Sequence, residues 1–195
     1  MSRIAILGWG SLIWDLEILA PHTAGDWLME HGPLLPMEFS RVSPKRKLGL
    51  VICLDPVVGV ECATNVIQSS RVNISHTIVD LAARERAPLD RIGAVHSDGL
   101  QKGRMPEVCK AVAEWCEANT WDGAVWTDLE PNFYDYTQQN FTIDEGQSYL
   151  RTLSGENLIE AHNYIENAPH QTQTPLRAAL ANNAWWQGLK KNRQT

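Results

Sequence analysis

An apolar run over residues 4–7 breaks abruptly at Gly8-Trp9-Gly10-Ser11. A short apolar stretch bounded by turn signals reads as a buried strand, here over residues 3–8. The two glycines permit a tight turn and leave backbone N–H groups unshielded by side chains. A strand that ends in such a loop is a natural place to hold a carboxylate or a developing oxyanion. The first strand therefore belongs in the interior, and its far end is where chemistry is expected.

The rest of the chain is read around that strand. Residues 15–35 carry Pro21, Gly25, Gly32 and Pro33 and read as loop, with a short helix near 26–30. Residues 37–42 and 48–54 read as strands, and 59–67 as a third. Then come a helix over 74–86, a strand over 92–96, a helix over 106–118 with Pro106 in its first turn, and a strand over 124–129. A long helix is expected from Thr142 or Asp144 to about residue 167, ended by Ala168-Pro169, and a last helix over 176–191. Strands come first, the middle is mixed and helices end the chain. That order predicts an α+β fold, one domain over 1–195, with a mixed or antiparallel sheet curled toward a barrel, flanking helices and a helical C-terminal extension from about residue 142.

Composition narrows the partners. A formal charge of −6 argues against nucleic acid, because phosphate contacts need a basic patch. The dense basic stretches, Lys45-Arg46-Lys47 and Lys190-Lys191-Asn192-Arg193, read as a solvated turn and a solvated tail. The apolar run after Met1-Ser2-Arg3 is too short for a signal peptide or a membrane span, so no membrane is expected. Cys53, Cys62, Cys109 and Cys116 form no Cys-x-x-Cys pair, and the expected setting is a cytoplasm with reduced thiols. Cys109 and Cys116, seven apart on one helix, are expected to face the core. Most of the eight tryptophans read as core as well.

Several familiar sites are refused. A dinucleotide fingerprint needs a small residue where Ile13 stands. The same residue excludes the nucleophile elbow, so Ser11 reads as a hydrogen-bonding loop residue rather than a nucleophile. There is no Gly-Lys-Ser/Thr for a P-loop. The six histidines show no zinc-ligand spacing, so neither metal nor cofactor is expected.

The second feature is Glu85. At about 100° per residue, Leu81, Glu85 and Ile78 fall within about 40° of Ile74, so the carboxylate lies on the apolar stripe of the 74–86 helix. Ala83, His76, Asp80 and Arg84 fall on the polar arc. Three outcomes stay open. Glu85 sits past the helix end in water, or it forms a structural ion pair with Arg41, Arg71 or another arginine, or it faces a cleft and moves protons.

The run Gly8-Trp9-Gly10-Ser11-Leu12-Ile13-Trp14 resembles the glycine loop of the gamma-glutamylcyclotransferase-like proteins, most closely their ChaC-type branch. Leu81-Ala82-Ala83-Arg84-Glu85 resembles the helix end that carries the single acid–base glutamate of that branch. Phe39-Ser40-Arg41-Val42 and Leu48-Gly49-Leu50-Val51 are similar to the strand pair between them. The resemblance covers roughly residues 4–96; from Trp121 onward no motif maps. Trp9 stands where the family has tyrosine, and Arg86-Ala87-Pro88 follows Glu85 where the family has Gly-Tyr.

The resemblance implies a gamma-glutamylcyclotransferase-like fold and cyclisation of a small gamma-glutamyl amide or peptide to 5-oxoproline. It implies Glu85 as the catalytic group, and Gly8, Trp9, Gly10, Ser11, Leu12 and Arg41 as substrate-binding residues. Glu85 is then expected to face Ser11 without an arginine that fully satisfies it. One alternative is a non-catalytic module that keeps the pocket for a glutamyl-like or amino-acid ligand, which an ion-paired, inaccessible Glu85 would favour. Another is an interaction protein that uses exposed tryptophans.

Overall fold

The structure, a computed structural model, describes residues 2–191, with side chains through residue 189. Asn192 and Arg193 of the basic tail lie outside the described residues. In chain order the elements are β1 (Ile4–Gly8), β2 (Thr23–Leu28), β3 (Leu34–Ser43), β4 (Gly49–Leu54), β5 (Val60–Ala63), β6 (Asn65–Ser69), α1 (Ile74–Glu85), β7 (Ile92–His96), β8 (Gln101–Lys102), α2 (Pro106–Ala118) and β9 (Gly123–Thr127). Five helices follow: α3 (Phe133–Thr137), α4 (Ile143–Thr152), α5 (Gly155–Asn167), α6 (Pro175–Ala181) and α7 (Ala184–Lys191). The chain divides into two compact units. The first takes the chain up to Leu35 and then Ala63–Leu129; the second takes Pro36–Cys62 and the chain from Glu130 on.

The first unit is built on a six-stranded sheet ordered β2-β6-β1-β9-β7-β8. It is mixed: β1 runs parallel to β9, and the β1–β6, β2–β6, β7–β8 and β7–β9 pairs are antiparallel. All five residues of β1 are buried, as expected of its apolar run. Ile4 and Ile6 pack with Ile78 and Leu81 of α1 in one hydrophobic cluster. Burying such aliphatic side chains contributes about 1.5–3 kcal/mol each.

The barrel expectation is corrected here. The sheet is open, with β2 and β8 at opposite edges. β8 is only two residues long, too short an edge to close a barrel. The expected helix near 26–30 is also absent; β2 runs to Leu28, a turn follows at 29–30, and the strand pairs with β6 through an irregularity between Ala24 and Leu28. A partner strand, rather than local pattern, decides it.

The expected strand over 59–67 is two strands parted at Thr64. Thr64 donates its N–H and its hydroxyl to the Pro33 carbonyl, which takes the chain from one sheet to the other. The second unit holds β4, most of β3 and β5 in the order β4-β3-β5, with helices α3 to α7. Helix α5 lies on β4; a Cβ on Gly49 would sit 3.1 Å from Ala161, so glycine lets the two backbones approach closely. The basic turn is only partly solvated: Arg46 pairs with Glu160 at 3.1 Å and Lys47 with Glu156.

The expected long helix starts at Thr142 as read, with the Thr142 hydroxyl accepting from Glu145 N–H at 3.1 Å. It is nevertheless two helices, broken at Leu153-Ser154, where Leu153 is buried and Gly155 takes φ +53°. The last helix is likewise divided, because the Asn183 amide oxygen accepts from the N–H groups of Trp185 and Trp186 and starts α7 anew.

All four cysteines are buried and none is in a disulfide. Burial pushes the Cys62 and Cys109 thiols up, and the Cys116 thiol up to about 12. The thiolate is the reactive form, so a water-soluble disulfide reagent near neutral pH is expected to label none of the four in the folded protein and all of them in denaturant. Rapid labelling of folded protein would contradict the burial.

Candidate functional site

The glycine loop and Glu85 both belong to the first unit. Gly8 ends β1 opposite Asn65, whose side-chain amide donates to the Gly8 carbonyl at 3.1 Å. A Cβ on Gly8 would come within 2.6 Å of the Trp27 indole, so only glycine fits at this strand end. Trp9 is buried. After Gly10 the chain turns into a single 3₁₀ turn, Ser11–Ile13, closed by Ile13 N–H on the Gly10 carbonyl at 3.0 Å and Asp15 N–H on the Ser11 carbonyl at 2.9 Å.

That geometry leaves the first N–H groups of the turn without an internal acceptor, as at any helix start. Among the described residues the N–H groups of Gly10, Ser11 and Leu12 make no hydrogen bond. The Leu12 side chain is part of the hydrophobic cluster. Only its backbone is left for binding.

Helix α1 delivers the carboxylate. Asn73 caps its start, accepting from Ser75 N–H at 2.8 Å. Ile74, Ile78, Leu81 and Ala82 are buried as the wheel requires, and Arg86 ends the helix in the left-handed region at φ 54°. Glu85 is the last helical residue, and its side chain is 16% exposed.

Arg84 is what the wheel missed. Assigned to the polar arc, its side chain is only 1% exposed. The wheel gives the direction of a Cβ, whereas this long side chain carries its guanidinium back toward the loop. Arg84 Nη1 donates to Glu85 Oε1 at 2.6 Å. Nη2 donates to the Ser11 hydroxyl at 3.4 Å and to the Asp15 carbonyl. Glu85 thus has an arginine partner, as one of the three open outcomes allows; it is the preceding residue rather than Arg41 or Arg71, and it bonds one carboxylate oxygen, Oε1. Arg71 instead pairs with Asp80 at 2.7 Å. A carboxylate at a helix C-terminus meets the negative end of the helix dipole, and the adjacent guanidinium offsets that.

Arg41 lies on β3 in the second unit, where its guanidinium donates to the Glu130 carbonyl. A cleft of about 290 Å³ lined by Ser2, His96, Ser97 and Asp122 lies at the opposite end of β1 from the glycine loop. It contains none of the residues singled out from the sequence. Among the described residues no group of three or more His, Cys, Asp or Glu side chains could hold a metal ion, and no helix is long and apolar enough to cross a membrane. Among the described tryptophans, Trp14, at 39%, is the one counted with the exposed large apolar residues, so the tryptophan-rich surface patch required by an interaction protein is not formed there.

No model of a protein family matches the chain, and no curated protein matches it.

Proposed function

We propose that this protein is a gamma-glutamylcyclotransferase-type enzyme, which closes a small gamma-glutamyl amide or peptide into 5-oxoproline and releases the amine. It acts in the cytoplasm without metal or cofactor. One observation carries the proposal: Arg84 hydrogen-bonds both Ser11 of the glycine loop and Glu85, uniting two segments that the sequence singled out separately.

The chemistry assigns each part a task. The substrate's α-ammonium gives a proton to Glu85, and the freed amine attacks its own side-chain carbonyl carbon. A C–N bond forms and closes the five-membered ring. The charge on the tetrahedral oxygen is met by the unused N–H groups of Gly10, Ser11 and Leu12. The bond to the leaving nitrogen then breaks as Glu85 returns the proton to it, and the second proton on the ring nitrogen passes by way of the Glu85 carboxylate to the released amine, which departs as an ammonium. Holding the glutamyl chain bent against the loop supplies the orientation the ring closure needs.

The Glu85–Arg84 ion pair also favours a second reading, a module that binds a glutamyl-like ligand through the same loop without reaction. A 5-oxoproline release assay over a panel of gamma-glutamyl compounds, paired with calorimetric binding, separates the two. Release supports the enzyme; binding without release supports the module. In either case Gly10→Val is expected to weaken ligand affinity by about tenfold or more, because a branched side chain blocks close approach to the backbone donors. Unchanged affinity in a folded Gly10→Val variant would count against the loop as the binding element.

A further inference from the structure

We infer that Arg84 is the positioning residue of this site, fixing the Glu85 carboxylate against the glycine loop; this role rests on the cyclotransferase proposal. A guanidinium only 1% exposed is costly unless paired, and burial of an ion pair is weak evidence of a stabilising purpose. Its contacts point to placement instead. One arm of the fork holds Glu85 Oε1 at 2.6 Å; the other holds the Ser11 hydroxyl at 3.4 Å and the Asp15 carbonyl. Two of these acceptors, Ser11 and Asp15, belong to the glycine loop, whose 3₁₀ turn leaves three N–H groups unbonded at its start.

The proton-transfer group and the anion donors are thereby tied by one planar, rigid side chain. Lysine, a point charge on a flexible stem, cannot span all three acceptors in fixed geometry. Glu85 stands at the last residue of a helix, where the backbone gives way to the left-handed Arg86; the preceding residue, Arg84, is what ties its carboxylate to Ser11.

The test is steady-state release of 5-oxoproline by Arg84→Lys and Arg84→Met, each with a thermal melt, using the gamma-glutamyl compound that wild type turns over best. Misplacing a catalytic group by about 1 Å costs on the order of 10²-fold in rate. Arg84→Met is therefore expected to lose about 10²-fold in kcat and Arg84→Lys about tenfold, with KM within about threefold of wild type. Millimolar guanidinium is expected to restore part of the Arg84→Met rate. A merely structural arginine would lower activity in proportion to the folded fraction and would show no such restoration. Wild-type kcat in either folded variant, or a loss that follows unfolding alone, overturns the positioning role while wild-type and Glu85→Gln activities stand. If Arg84→Met does not fold, Arg84→Lys decides the matter. A wild type that releases no 5-oxoproline from any compound overturns the cyclotransferase proposal, and this role with it.

Discussion

Glu85→Gln is expected to lower 5-oxoproline release by about 10²–10⁴-fold in turnover while leaving the fold and ligand affinity near those of wild type. Glutamine keeps the length of the side chain and one oxygen to accept from Arg84 Nη1, which now bonds Glu85 Oε1 at 2.6 Å. It has no site to take a proton from the substrate amine. The loss therefore falls on kcat rather than on KM, the pattern of an interaction made only in the transition state. Saturating-substrate kinetics and calorimetric titration measure the two quantities separately. Unchanged release in the variant would rule out Glu85 as the acid–base group. A drop in affinity with no reaction in either protein would make it a ligand contact in a binding module.

The second large effect lies in the second unit, at Glu38. This carboxylate is fully buried, accepting from Phe39 N–H at 2.7 Å and from Leu176 N–H at 3.1 Å, with the Thr174 hydroxyl also bonded to it. It closes the start of α6. Glu38→Ala strands two buried N–H groups and leaves a void, and is expected to cost about 2–5 kcal/mol in urea unfolding. Burial is the largest influence on its ionisation and pushes the carboxyl above the ordinary 4.5; the hydrogen bonds oppose this and nearby Asp55 adds to it. A carboxyl raised in the folded state contributes most stability below 4.5, and the contribution is lost as the pH climbs through the folded-state value. The gap between wild type and Glu38→Ala should therefore narrow as the pH rises above 4.5, and Glu38→Gln should flatten the slope. A gap that widens with pH would contradict the assignment.

Glu38 also shows why local pattern misleads. Alternation over 37–42 correctly marks a strand, and it also implies that Glu38 and Ser40 face water. Both are fully buried, together with Met37 and Phe39. The strand is enclosed on both faces, and its polar residues are met by partners far along the chain: Leu176 for Glu38, and Asp55 at 2.6 Å for the Ser40 hydroxyl. The same limit divides the helices. Periodicity ran through Ser154 and through Asn183, whereas a buried Leu153 and an asparagine cap broke each run.

What the sequence determined by itself is whatever depends on neighbours along the chain. The buried first strand, the glycine turn after it, the apolar stripe of α1 with Glu85 at its end, and the helix start at Thr142 all follow from residues within a few positions of one another. Tertiary structure alone decided which strands pair, and so that the sheet stays open, and where a long polar side chain ends. Arg84 shows the difference: its Cβ direction is a local fact, but its guanidinium goes to a carbonyl 69 residues away and a hydroxyl 73 residues away. A buried charge must find acceptors, and only the folded chain says where they stand.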